Sequence, residues 1–209
     1  FLMPISRKIM GVSRGGGGKK AIFGYGADNT NVLSMTNLVS VTGVVSADTT
    51  GVGTARVGLA AAGYGTDKGI FGYGYGGSAG TFYSITNLVN NTGLVSSDTA
   101  GVGTARYNLA AAGYGTDKAL FGYGNGGGAI RSMTNLVSNT GVVSSDTAGV
   151  GTARHSLAAT NYGTDKAIFG YGTTGSNVSL TNLVSNIGVV STDTTGVGTA
   201  RNQLAASSY

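Results

Sequence analysis

Short apolar runs alternate with glycine-rich and Asp-Thr turns along the chain, and the same runs return in the same order. An aromatic run reads AIFGYG at 21–26, GIFGYG at 69–74, ALFGYG at 119–124 and AIFGYG at 167–172. TNLV follows from Thr36, Thr86, Thr134 and Thr181, then an Asp-Thr turn at Asp48, Asp98, Asp146 and Asp193. GVGTAR closes each unit at Arg56, Arg106, Arg154 and Arg201. A period near 50 residues marks a repeat architecture and fixes the fold class before any single residue is weighed.

The spacing separates a frame from a loop. The Asn of TNLV stands 19 residues before the Arg of GVGTAR in every unit, and that Arg stands 15 before the next Phe. From Phe to Asn the gaps are 14, 16, 14 and 13. One loop per unit therefore varies on a constant scaffold, which is where binding differences collect. Each unit predicts about four short strands: one through Thr104 to Ala112, a second from Ala119 to Tyr123, a third over TNLV and a fourth through the Gly-Val-Val at 141–143. Alternation in the second strand puts Ala21, Phe23 and Tyr25 on one face and Ile22, Gly24 and Gly26 on the other. A bare glycine face lets another backbone or ring approach closely.

The array starts at a second strand, near Ala21, and the segment Thr199 to Ala206 reads as a first strand. That offset predicts an all-β, small four-bladed β-propeller, closed by the C-terminal strand completing the first blade. A radial array also protects its sheet edges. The alternative is a β-solenoid or a stacked-sheet filament. Residues 1–19 read as a separate basic, glycine-hinged arm, and 20–209 as the four-repeat domain.

Composition narrows the chemistry. The 209 residues include 39 glycines and one proline, with 10% charged residues and no cysteine. Absence of Glu, with abundant Gly, Val and Thr, argues against a helical domain. Low charge implies much surface covered in an assembly and predicts a homo-oligomer with protein neighbours. Arg7, Lys8, Arg14, Lys19 and Lys20 carry the whole net charge of +5, because the remaining bases and acids balance. This reads as an anchoring arm and does not favour nucleic acid. Pro4, Ser6, Arg7 and Lys8 break the apolar start, so no complete signal peptide is read. A chain opening on Phe1 reads as a processed or truncated product. No window reaches the ~20 apolar residues of a helical membrane span.

Nothing reads as an enzyme, a cofactor site or a metal site. The single histidine, His155, has Val57, Tyr107 and Asn202 as its counterparts. The GGG and GYG groups lack the Lys-Ser/Thr ending of a phosphate loop. Asp67-Lys68, Asp117-Lys118 and Asp165-Lys166 read as hairpin residues. Asp48/Arg56, Asp98/Arg106, Asp146/Arg154 and Asp193/Arg201 stand eight apart across glycine-rich turns and predict structural ion pairs. Tyr75, Phe82, Tyr83 and Arg131 lie in the variable loops and form the candidate binding surface, suited to protein contacts or a cell-surface glycan.

The run Arg56-x-x-Leu59-Ala60-Ala61, followed by Asp67-Lys68-x-Ile70-Phe71-Gly72-Tyr73-Gly74, resembles the start of a kelch-type propeller repeat. It differs in having Gly-Tyr-Gly for the paired glycines and in lacking the tryptophan late in each unit. The wording TNLVSNTGVVSSDTAGVGTAR, with GYGTDK and the aromatic run, is similar to repeats in structural proteins of environmental tailed bacteriophages. That resemblance implies a virion or extracellular location and a surface or tail-associated role. Multivalent host-glycan binding and self-assembly into a filament remain the alternatives.

Overall fold

The computed structural model describes residues 20–77 and 81–209. The predicted basic arm, 1–19, lies outside the described residues, as do 78–80 in the second variable loop. Among the described residues the fold is all-β. Unit one holds β1 (Ala21–Ala27) and β2 (Val32–Val39). Unit two holds β3 (Ala60–Tyr64), β4 (Lys68–Tyr75) and β5 (Phe82–Val89). Unit three holds β6 (Ala110–Tyr114), β7 (Lys118–Gly122), a small hairpin of β8 (Asn125–Gly126) and β9 (Ala129–Ile130), and β10 (Thr134–Val137). Unit four holds β11 (Ala158–Tyr162), β12 (Lys166–Gly170) and β13 (Thr181–Val184).

Each complete unit is an antiparallel sheet with the aromatic strand in the middle. GYGTDK makes the first hairpin, pairing Tyr64 with Lys68 across Gly65-Thr66-Asp67, and Gly65 and Thr66 both take positive φ there. The expected fourth strand is reduced to isolated bridges, Val137 to Val143 and Thr134 to Thr147 in unit three. Strand β6 lies between β3 and β11, so the units follow one another in chain order.

The cores lie between units. One cluster joins Ile70, Tyr73 and Tyr64 of unit two to Phe121, Ala119 and Val137 of unit three. Its counterpart joins Leu120, Tyr123 and Tyr114 to Phe169, Ala167 and Val184. A smaller one sets Phe71, Val89 and Val95 against Ile22 and Tyr25. No unit buries its own apolar face, so each is stable only against a neighbour.

The aromatic strand breaks the alternation that puts Phe and Tyr on one face. Tyr25, Tyr73, Tyr123 and Tyr171 have φ of 62 to 65°, and β4 carries a bulge between Gly72 and Gly74. The left-handed tyrosine, which costs roughly 1–2 kcal/mol by itself, turns its ring to the following unit while the Phe faces the preceding one. Tyr73 then packs on Phe121 at 5.1 Å and Tyr123 on Phe169 at 5.0 Å. The glycine between them is the seat: a Cβ on Gly122 would stand 2.6 Å from the Phe169 ring.

Among the described residues no ring closure is made: β1 pairs with β2 alone, and Thr199–Ala206 forms no strand. Its backbone is instead held on unit four, where Gly172 N donates to the Arg201 carbonyl at 3.0 Å and Gln203 N to that of Ser156 at 2.8 Å. The reason is directional packing: a unit-one Phe faces away from unit two and finds no partner among the described residues.

Gly122→Ala is expected to lower stability by ~1–3 kcal/mol, because the methyl overfills the Phe169 seat. Gly170→Ala, where a Cβ meets only Thr181 Cγ2 at 3.4 Å, is expected to stay within ~0.5 kcal/mol of the parent. Denaturant midpoints of the two variants check the contrast.

Candidate functional site

The ion pairs form, but one unit out of step with the expected partners. Arg56 pairs with Asp98, Arg106 with Asp146 and Arg154 with Asp193. Asp48/Arg56, Asp98/Arg106, Asp146/Arg154 and Asp193/Arg201 are therefore corrected. The eight-residue segment between each Asp and the next Arg carries the chain from one unit to the following one. Both ends of the two inner segments, Asp98–Arg106 and Asp146–Arg154, are held, but in different hubs.

Three hubs repeat one geometry. In unit two the fully buried Arg56 donates from Nε to the Tyr73 carbonyl at 2.7 Å and from Nη1 to that of Thr54 at 2.8 Å. Its Nη2 donates to Asn87 Oδ1 at 2.6 Å. Asn87 Nδ2 donates onward to Asp98 Oδ1 at 2.9 Å and to the Ser96 carbonyl at 3.0 Å. Asp98 also accepts from the Thr54 amide at 3.0 Å and hydroxyl at 2.6 Å. The guanidinium carbon lies 4.3 Å over the Tyr25 ring of the preceding unit. Arg106 and Arg154 repeat this with Asn135 and Asn182, each at 2.6 Å.

Arg56 Nη1 stands 4.0 Å from Asp98, whereas Asn87 accepts at 2.6 Å. The asparagine is thus the direct partner and the carboxylate acts through it and through space. Burial works to raise the Asp98 carboxyl, but hydrogen bonds from Thr54 and Asn87, with Arg56 nearby, hold it below the usual carboxylate value. Asp146 and Asp193 are held low by the same balance. Burial pulls the Arg56 and Arg106 guanidinium groups below their ordinary value. It pushes Tyr73 and Tyr123 up to about 12, against the opposing pull of Arg106 and Arg154 respectively.

Sequence reasoning missed the asparagine of TNLV, the threonine of GVGTAR and the tyrosine of the aromatic run as hub members. The contacting pair Arg and Asn is separated by 31, 29 and 28 residues, with the variable loop between them. Constant spacing pointed to the wrong partners. The detectable signal was an Asn, Thr and Tyr recurring once per unit beside a buried-type Arg.

The candidate loop divides. Tyr75 and Phe82 gather with Tyr107: Phe82 stacks on Tyr107 at 5.3 Å and 9°, and Tyr75 lies 5.7 Å from Tyr107. Tyr107 is the third member, unforeseen as such. Tyr83 and Arg131 are instead equivalent positions in successive units, their carbonyls accepting from the Arg106 and Arg154 amides, each at 3.3 Å. The Arg131 Nε is buried without a partner among the described residues. His155 Nδ1 lies 2.9 Å from Ser156 Oγ, and burial pulls its pKa below the ordinary value. Among the described residues no helix is long and apolar enough to cross a membrane.

No family model matches the sequence, and no curated protein matches it.

Arg106→Ala is expected to cost ~3–5 kcal/mol, since it strands the Asn135 and Tyr123 acceptors in the core. Arg201→Ala removes an exposed stack on Tyr171 and an exposed hydrogen bond to the Thr199 carbonyl, and is expected to cost ~1 kcal/mol or less. Chemical denaturation of both variants measures this.

The hub carboxyls have folded pKa values below the 3.8 of a free group. Their contribution is complete above that value and is lost as pH falls through the lower, folded one. Thermal midpoints should therefore drop as pH falls below about 3.8, and an Asp146→Asn variant should drop less steeply.

Proposed function

We propose that this protein is a non-enzymatic structural module that works through protein–protein contacts in a virion surface, tail-associated or other extracellular assembly. One observation carries the reading. Val44, Leu94, Val142 and Val189 occupy the same place in the four units, and each is 60–67% exposed. They lie beside the outer strand of each sheet, next to the Val39–Val45, Val89–Val95, Val137–Val143 and Val184–Val190 bridges. A scattered exposed valine means nothing, but an apolar residue repeated once per unit suits a long contact with a neighbour.

The finer architecture we favour is an open row of blade-like units in place of a closed four-bladed propeller. Hub saturation supports a scaffold role: the buried arginines and asparagines spend their bonding on holding one unit to the next. Location in a virion or outside the cell rests on the sequence resemblance.

Multivalent glycan binding is the second reading, favoured by the half-buried Tyr75, Phe82 and Tyr107 rings on the loop side. Stacked rings present a flat apolar platform with hydroxyl rims.

Replacing Val44, Leu94, Val142 and Val189 together by Ser is expected to leave the melting midpoint within a few degrees while abolishing cross-links to neighbouring proteins in the native particle. The same preparation goes on a glycan array. Saturable glycan binding, lost on Tyr75→Ser/Phe82→Ser/Tyr107→Ser, together with unchanged cross-links in the valine and leucine variant, would replace the assembly reading with the second.

A further inference from the structure

Compared copy against copy, the units agree in the frame and differ at one end of the sheet. Between Thr36 and Gly74, and in the matching stretches that follow, two positions alone carry a different residue in every copy. They are the two after each hub arginine: Val57, Tyr107, His155 and Asn202, then Gly58, Asn108, Ser156 and Gln203. The frame on either side reads GVGTAR before them and LAA after them in all four copies.

The fold carries the first of these positions to the variable loops. Val57 bridges Tyr75, which pairs with Phe82. Tyr107 bridges Asn125, which pairs with Ile130, and His155 bridges Thr173, which bridges Asn177. Each of these sheets ends in a rung of three residues from three segments, and no rung repeats another. Successive rungs touch. Tyr107 packs on Tyr75 and Phe82 of the rung before it, at 5.7 and 5.3 Å. Asn202 reaches back in the same sense, donating to Asn177 Oδ1 at 2.8 Å. The variable loops and the variable pair therefore form one surface.

The second position forms a backbone column beside it. Asn108 N donates to the Gly58 carbonyl at 2.7 Å, Ser156 N to that of Asn108 and Gln203 N to that of Ser156, both at 2.8 Å. All four residues take φ between 50 and 61°, a region that glycine enters freely and side chains rarely adopt. Glycine stands there once. Asn108 and Ser156 hold polar side chains in that conformation, strain of the kind that collects at binding sites. The side-chain amides of Asn108 and Asn125 make no hydrogen bond among the described residues. His155 Nδ1 and Ser156 Oγ orient each other at 2.9 Å.

We propose that this edge binds one extended, neutral oligosaccharide lying across the rungs, with an apolar sugar face on the Tyr75–Phe82–Tyr107 rings and sugar hydroxyls on Asn108, Asn125 and His155. Half-buried rings beside amides with unused donors and acceptors match the two kinds of surface a sugar presents. The rung and column positions from Val57 to Asn177 include no acid, Lys or Arg, so nothing there selects a charged ligand. Tyr83 and Arg131 stand one residue beyond Phe82 and Ile130 and turn to the other face of their strands. The edge lies at the Tyr75–Phe82 end of the aromatic strand, and the exposed Leu94 at the Gly69–Val89 end. Recognition and assembly thus use opposite ends of the sheet, and the inference does not depend on the assembly reading. It also departs from the multivalent reading, because unlike rungs do not make equal pockets.

The probes are an array of neutral oligosaccharides of glucose, galactose, mannose and N-acetylhexosamines, with sialylated, sulfated and uronate-bearing glycans as the charged contrast. Saturable binding is expected among the neutral set, and calorimetric titration of the strongest is expected to give one site per chain. Tyr107→Val and Asn108→Gly each install the residue that the first copy already carries at the same position, Val57 or Gly58. Both are therefore expected to keep the parent's melting curve. Each is expected to weaken the titrated oligosaccharide more than about tenfold. The Val44→Ser/Leu94→Ser/Val142→Ser/Val189→Ser variant is expected to bind it as the parent does.

Absence of saturable binding to any neutral oligosaccharide overturns the proposal. So does binding confined to the charged glycans, or binding undiminished in both Tyr107→Val and Asn108→Gly. Several equal sites per chain overturn it in favour of the multivalent reading. Loss of cross-links to neighbouring proteins in Tyr107→Val/Asn108→Gly, with no glycan bound by the parent, overturns it in favour of a protein contact at this edge. None of these results removes the assembly reading, which is read from the cross-links of the valine and leucine variant.

Discussion

A guanidinium removed from water must find several fixed acceptors at once, and that demand organises this structure. Arg56, Arg106 and Arg154 are fully buried. Each meets two backbone carbonyls and an asparagine oxygen within 3.1 Å and covers a tyrosine ring with its remaining face. A lone ion pair at 3.8–4.0 Å would not offset the loss of hydration. The array of carbonyls, amide and ring does so because every polar atom of the fork is used. The acceptors come from three separate segments and the ring from the preceding unit, so satisfying one arginine fixes four pieces of chain together.

The second constraint is direction. A left-handed tyrosine sends Tyr73 to one neighbour while Phe71 points to the other, giving each unit a projecting face and a receiving face. The strain of that backbone is offset by aromatic packing near 5 Å and by the cation stack on the ring. Two unlike faces cannot satisfy each other within one unit. They are satisfied between successive units, where Phe71, Phe121 and Phe169 are buried, each over the glycine of the preceding unit.

The repeat, the all-β class and the GYGTDK hairpins were legible because each depends on residues close in sequence: Tyr64 meets Lys68 four residues on. The resemblance of Thr199–Ala206 to a first strand was also legible, but not that its backbone is held on unit four. Ring closure was inferred from strand counting alone, and counting carries no information on which way Phe23 faces. The alternation of Phe and Tyr failed at a single backbone angle, 62 to 65° at tyrosine, which side-chain periodicity does not encode. The Asp and Arg pairing failed because eight residues were taken to be a turn within one unit, when they are the step between two. Of the candidate loop residues, Tyr75 and Phe82 do share a surface, while Tyr83 and Arg131 are the same position read in different units.

The hub also explains why one loop can vary without cost to the rest. Arg and Asn lie on opposite sides of that loop, and their separation shrinks from 31 to 28 residues along the chain. The hydrogen bond between them stays at 2.6 Å throughout. The aromatic strand and TNLV are locked in the same register in every unit, Phe against Asn. Added residues therefore emerge beyond a fixed clamp, as longer strands with a bulge in unit two or as the β8–β9 hairpin in unit three. A clamp of this kind separates the part of the sequence that must be kept from the part that is free to diversify. It assigns structure to Arg, Asn, Asp, Tyr and Thr, and leaves loop residues such as Phe82 outside the clamp.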